Sequence, residues 1–361
     1  MHKYLTAVII AAVLSAGCKE KEKTTDNNSP AVIFSFSVTR DPGTKWHIVQ
    51  LNAENRINSD QNISIKICPE GGNNMFSFRA GEQELLIEPD DIGSLIKRFA
   101  GNPILYPTPN RIRNGIYTFM GDSLKMSFPE ETRSHSGHGL VWDDTAWDFS
   151  IPEIRENSVF FSSWYVFSES NPRLKAYPFR NKLTVDYTLT EDRVHISYSV
   201  ENQDERPLGF GFALHPFWKV IGSKEETFIQ VALPYHMEAT KDRLPTGKAE
   251  PVRGTAWSLL EPRPLSELRL DDVYLGAAPD SLVRVIYRSI GLQIQQKASA
   301  DFTHVVVYTP DRDFFCIENQ TCSTDAHNLY SKGYIEESHL QIVEPGKKTG
   351  GYVEYIIVRD D

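Results

Sequence analysis

The chain has 361 residues, 40% of them hydrophobic and 24% charged, with 38 basic against 48 acidic side chains for a formal net charge of −10. That length can bury a sizeable core, and 15 Tyr and 19 Phe make the composition aromatic-rich. The acidic balance and the lack of any basic stripe argue against phosphate-backbone binding, so nucleic acid is not an expected partner.

The first residues read as a targeting segment. Lys3 supplies positive charge, Tyr4–Leu14 is a short apolar run, and Ser15-Ala16-Gly17-Cys18 closes it with small residues and a cysteine. A mature spanning helix needs about 20 apolar residues, so this run is too short to be one. Residues 1–18 resemble a bacterial lipoprotein signal in which Cys18 becomes the lipidated first residue, although Ser15 stands where such signals usually carry Leu. The expected location is outside the cytoplasm, facing the periplasm or the cell exterior, with the membrane met only through a lipid anchor. Residues 19–31 follow as a charged, polar tether with little to bury.

Apart from Cys18, the cysteines are Cys68, Cys316 and Cys322. Three is an odd number for a disulfide framework, though Cys316 and Cys322 could pair in an oxidising compartment. No spacing of Cys and His matches a zinc motif, and no motif for a metal or an organic cofactor is found, so the expected cofactor is none.

From residue 32 onward, two-residue alternation dominates. Ile63, Ile65 and Ile67 share one face. Leu183, Val185, Tyr187 and Leu189 do the same, Glu191-Asp192 turn the chain, and Val194, Ile196, Tyr198 and Val200 run back as a hairpin. Val283–Tyr287, Leu292–Gln296, Val305–Tyr308 and Tyr352–Val358 read as further strands. Helical spacing is found over Asp91–Ala100, with Ile92, Leu95, Ile96 and Phe99 on one side. With 22 Gly and 21 Pro punctuating the strands, the expected architecture is all-β, a single large antiparallel β-sandwich over residues 32–361.

Four stretches carry chemistry. In Gly101–Gly115 (GNPILYPTPNRIRNG) the breakers fix a non-helical path that projects Arg111 beside Asn110. Arg111 offers a planar fork of donors suited to paired hydroxyls or carboxylates. Ser134–Trp147 holds His135 and His138 among glycines, with Trp142 and Trp147 nearby. Such a loop suits a neutral ligand, since aromatic faces cover the C–H surface of a sugar and imidazole nitrogens bond its hydroxyls. Gly209–Val220 (GFGFALHPFWKV) is a buried strand that delivers His215 at its end, with Phe217 and Trp218 making its surroundings apolar. Phe314–Asn328 (FFCIENQTCSTDAHN) places Glu318 where an apolar run meets a polar loop, a setting that raises a carboxylate's pKa through partial desolvation.

Together these stretches resemble the aldose 1-epimerase (galactose mutarotase) family, from about Phe34 to Val358. The resemblance rests on ILYPTPNRIRNG, HGLVWDDTAW, YPFRNKLTVDYTL, GFALHPFW, LDDVYLG and FCIENQTCSTDAHN, all in the family's order. It implies a supersandwich fold with a sugar cleft on one face, and interconversion of α and β anomers by ring opening. It further implies that Glu318 is the base at O1 and His215 the acid at O5, two groups flanking the sugar. Arg111, His138 and Asp272 would bond sugar hydroxyls, with Asn110 and Trp218 lining the site. Leu214 before His215, Pro216-Phe217-Trp218 after it and Asn319 after Glu318 depart from the common family pattern and leave the sugar preference open. Two rival readings are a non-catalytic carbohydrate-binding lipoprotein and a glycoside hydrolase or lyase. The hydrolase would need two carboxyls roughly 5–9 Å apart, for which Asp272 and Glu318 are the candidates.

Overall fold

The alternating hairpin forms as its pattern requires. Asn181–Leu189 and Arg193–Asn202 pair antiparallel, with Leu183 opposite Val200 and Leu189 opposite Val194, and their inward side chains are buried at every second position. The computed structural model describes residues 31–97, 100–126 and 135–360. The apolar run, Cys18 and the tether up to residue 30 lie outside the described residues. Val32–Asp361 forms one compact unit.

Among the described residues the protein is an antiparallel β-sandwich built mainly from three sheets. A five-stranded meander runs in chain order from Val32–Arg40 to Gln83–Glu84. A ten-stranded sheet contains Ser158–Phe167, the hairpin, Lys348–Arg359, Leu292–Ala298 and Val283–Tyr287 as successive neighbours. An eight-stranded sheet sets Tyr235–Ala239, Asp271–Leu275, His304–Tyr308, Phe314–Gln320 and Ala213–Leu214 side by side.

One apolar core joins all three. Trp218 is fully buried, with its ring centroid 6.3 Å from that of Phe78 in the five-stranded sheet and 5.3 Å from that of Tyr355 in the ten-stranded sheet. Truncating such a side chain to Ala costs about 3–5 kcal/mol.

The structure corrects one sequence expectation and answers one open question. Asp91–Ala100 is not a helix: a 3-10 turn spans Ile92–Ser94 only, residues 98 and 99 lie outside the described residues, and Gly101 sits at φ +67°. Leu95 is nonetheless buried, against Cys68 and Phe76, so the apolar spacing reflects docking onto a sheet. The helices lie elsewhere, at Ala326–Ser331 and Ile335–Ser338, immediately beyond the Phe314–Asn328 stretch. Cys316 and Cys322 are free, buried thiols. The strand continues from Cys316 to Gln320, about 13 Å of extended chain, which exceeds the reach of a disulfide.

Candidate active site

The eight-stranded sheet explains why residues far apart in sequence meet. Its register places Val273 opposite Val306 and Val306 opposite Glu318, while Asp271 lies opposite Tyr308, Tyr308 opposite Cys316 and Cys316 opposite Phe217. Residues directly opposite one another share a face, and so do residues two apart along a strand. Glu318, Cys316, Phe217, Tyr308, Asp271 and Val273 therefore belong to one face. The other face carries Val307 and Ile317 in register with Asp272, and Trp218 in register with Phe315.

Glu318 lies within its strand rather than at the end, and is only 2% exposed. Its Oε2 accepts a 2.9 Å hydrogen bond from Gln320 Nε2, two residues along on the same face. Its Oε1 is 3.2 Å from His215 Nε2. His215 is held from below by its backbone N–H donating to Pro103 O and from the side by Phe217, whose ring stacks at 4.6 Å. His138 approaches edge-on, ring centroids 5.3 Å apart.

The electrostatics of this pair follow from burial. Desolvation pushes the Glu318 carboxyl up to about 8; the Gln320 bond and Arg111 lower it, while Asp271 raises it further. Desolvation also depresses the His215 imidazole to about 3, with Arg111 adding to the depression. Burial thus pushes both groups toward their uncharged forms.

The far end of the site is built by loop interlocking. Arg111 Nη2 is 3.2 Å from Asp271 Oδ2, and its Nη1 donates to Asn110 Oδ1 at 3.1 Å. Asn110 has φ +57° and is buried, so it orients Arg111 rather than presenting a free amide. The His138 loop is tied to the same segment, because His138 N–H donates to Asn110 O at 2.6 Å and Gly137 pairs with Arg111. Asp325 N–H bonds Arg111 O, which links the third loop. Asn110, Arg111, Asp271, Val273, Val306 and Thr324 line a small cavity there. Thr324 Oγ1 is buried without a protein partner, a hydroxyl available to a ligand.

The structure brings together Glu318, His215, His138, Arg111 and Asn110, and it corrects the other expectations. Trp218 does not line the site. It is one residue out of phase with Phe217, so its indole turns into the core. Trp147 is likewise buried, against Tyr165, and its Nε1 donates to Val141 O. Asp271, not Asp272, is the carboxylate that faces Arg111. Asp272 borders the cavity, but its Oδ1 is 3.0 Å from His236 Nε2 and its Oδ2 accepts the Asp271 N–H. Asp272 and Glu318 belong to opposite faces of the sheet, so the pair of carboxyls named for the hydrolase reading does not share one face. Glu318 and His215 themselves lie side by side on one floor rather than on opposite flanks of a cleft.

Sequence reasoning overlooked Gln320 and Thr324, and considered Cys316 only as a possible disulfide partner. Gln320 and Cys316 were signalled by their two-residue spacing from Glu318; Thr324 carries no such signal.

Comparisons with known proteins bear on the family and the fold. The family model described as aldose 1-epimerase matches residues 54–355. Galactose mutarotase of Mus musculus is 26% identical over 157 residues, 42% of this chain and 43% of that protein. Galactose mutarotase of Homo sapiens is 24% identical over 171 residues, 46% of this chain and 47% of that protein. These matches span about half the length of the curated relatives. A galactose mutarotase-like protein from Clostridium acetobutylicum superimposes with a TM-score of 0.79 at 16% identity, covering 91% of this chain and 99% of that one. Galactose 1-epimerase from Lactobacillus acidophilus gives 0.69 at 15% identity, covering 91% and 100%. At such identities the likeness establishes the fold.

Proposed function

Because the chain belongs to the aldose 1-epimerase family, we propose that it is a mutarotase, interconverting the α and β anomers of a free aldohexose or of a sugar reducing end. The observation that carries this reading is the buried His215–Glu318 contact beside the Arg111–Asp271 pair. Ring opening removes the proton from O1 and delivers one to O5, while the C1–O5 bond breaks and the C1 carbonyl forms. O1 and O5 are both attached to C1, so two adjacent groups on one floor reach both.

A pair holding one proton is what this chemistry needs. With the proton on His215, Glu318 is the base at O1 and His215 the acid at O5. The ligand-free pair has its proton on Glu318, but the two arrangements contain the same number of protons and interconvert by transfer across the 3.2 Å contact. Once the C1–C2 bond has rotated, the groups exchange roles and the ring closes on the other face. Each such group contributes roughly 10²–10⁴-fold. In this reading Arg111, Asp271, His138 and Thr324 bond the sugar hydroxyls, and Phe217 supports the imidazole.

The test is the decay of optical rotation of freshly dissolved α-glucose or α-galactose, with and without the purified protein and with Glu318→Gln. Acceleration by the wild type and its loss in the variant support the enzyme. A rate equal to buffer for every sugar tried overturns the reading and leaves a carbohydrate-binding protein. We also infer export and lipidation at Cys18 from the N-terminal pattern; fatty-acid labelling that persists in Cys18→Ala would overturn that.

A further inference from the structure

Catalysis by general acid and base leaves one nearby side chain without a role. Cys316 lies two residues from Glu318 on the same strand face, directly across from Phe217, and is fully buried. Its Sγ, a carboxylate oxygen of Glu318 and a ring nitrogen of His215 all lie within 4.8 Å of one another, a cluster of potential metal ligands.

We propose that His215, Cys316 and Glu318 form a binding site for a zinc-class divalent ion, and that metal and sugar exclude one another there. The metal-binding part stands on the ligand cluster alone; the exclusion rests on the mutarotase reading. Thiolate, imidazole and carboxylate are the three ligand types that zinc takes, and three protein ligands with an open fourth position form a recurrent zinc geometry. Tetrahedral zinc with bonds of about 2.0–2.3 Å separates its ligand atoms by about 3.3–3.8 Å. The His215–Glu318 edge, at 3.2 Å, is already close to that spacing, so only the thiol has to close in. Gln320 fixes the second oxygen of Glu318, the kind of outer support that orients a ligating carboxylate. The thiol proton leaves to solvent as the metal binds, as does any proton on the carboxyl. A bound ion would occupy the Glu318 oxygen and the His215 nitrogen that address O1 and O5, silencing both the acid and the base.

The test uses the purified full chain, freed of metal by a chelator, with cobalt(II) as a spectroscopic probe and zinc as the inhibitor. The expected result is a cobalt–thiolate absorption band that Cys316→Ser removes and Cys322→Ser leaves. Zinc should lower the mutarotation rate of the wild type, a chelator should restore it, and Cys316→Ser should need at least tenfold more zinc for the same fractional loss. Cys316→Ala serves as a second variant should Ser disturb the buried strand, with circular dichroism checking both folds. Absence of the band, or equal zinc affinity in wild type and both Cys316 variants, overturns the metal site. A band with no effect of zinc on rate overturns the exclusion. A band in a protein that accelerates no sugar keeps the metal site and defeats the mutarotase reading instead.

Discussion

The eight-stranded sheet holds two buried histidine–carboxylate pairs whose electrostatics diverge. His215–Glu318 and His236–Asp272 have nearly equal separations, 3.2 and 3.0 Å. Burial pushes both carboxyls upward. At Asp272 the His236 bond, the Asp271 N–H and the nearby Arg243 outweigh burial, and the carboxyl is held below the usual range. At Glu318 the donors are fewer and Asp271 adds a second negative charge, so burial prevails and the carboxyl rises to about 8. The contrast shows that a short contact to histidine does not by itself decide where a proton sits. The remaining donors decide, and at Glu318 they are too few to keep it ionised. The first pair is poised to move a proton; the second is an anchor.

Substitutions should separate the two roles. Glu318→Gln should lower the mutarotation rate by about 10³-fold or more, and His215→Gln by about 10²–10⁴-fold, read by polarimetry. Asp272→Asn should change the rate only a few-fold. If Asp272→Asn matched Glu318→Gln, the assignment of anchor and catalyst would be reversed.

The pH profile sharpens the same point. A pair that must hold one proton keeps it between about 3 and about 8, the values of His215 and Glu318. The rate should therefore be level through neutral pH and fall about tenfold per unit well above pH 8, as the pair loses its proton. A rate that kept rising through pH 9 would mean that the ionised Glu318 acts alone. At the binding end, Asp271→Asn should raise KM about tenfold with a smaller change in kcat, because it removes a charged partner of Arg111 and reaches the proton pair only through its charge on Glu318.

Stability should move in the opposite order to activity. Asp272→Ala leaves His236 Nε2 buried without its acceptor, at a cost of about 1–3 kcal/mol, measurable by denaturant unfolding. The depressed pKa of Asp272 contributes stability above its ordinary value of 3.8, lost as pH falls through the folded value. Glu318 has the reverse sign. Its folded pKa of about 8 exceeds the ordinary 4.5, so its contribution is fully present below 4.5 and is lost as pH rises through 8. Glu318→Gln, which cannot ionise, should melt a few degrees above wild type at pH 9, a difference that shrinks toward pH 5.

How much of this was legible in the sequence depended on parity. The Leu183–Val200 hairpin was readable because its alternation is uninterrupted and its turn is short. That Glu318, His215 and Arg111 fall close together was readable from the local patterns of their loops and the family order. Trp218 and Asp272 were placed on the wrong face for one shared reason: each is a single residue out of phase with a neighbour, Phe217 or Asp271, that shares a face with Glu318, and a strand turns such neighbours to opposite faces. The register that sets Asp271, Tyr308, Cys316 and Phe217 in one row joins four distant segments, and no local pattern encodes it. The helical spacing at Ile92 and Leu95 misled because docking onto a sheet can require the same apolar positions as a helix.

The segment that carries His215, Phe217 and Trp218 has a consequence for how this protein can be changed. Within four residues it passes from the His215–Glu318 contact to the point where three sheets meet. Selection for a new ligand cannot repack that segment freely, because a substitution that shifts its path disturbs the histidine–carboxylate contact and the core at once. The loops around Asn110, His138 and Thr324 are bound instead to one another by backbone bonds. Libraries aimed at altered ligand preference should therefore diversify those loops together, as one unit, and leave the His215–Trp218 segment fixed.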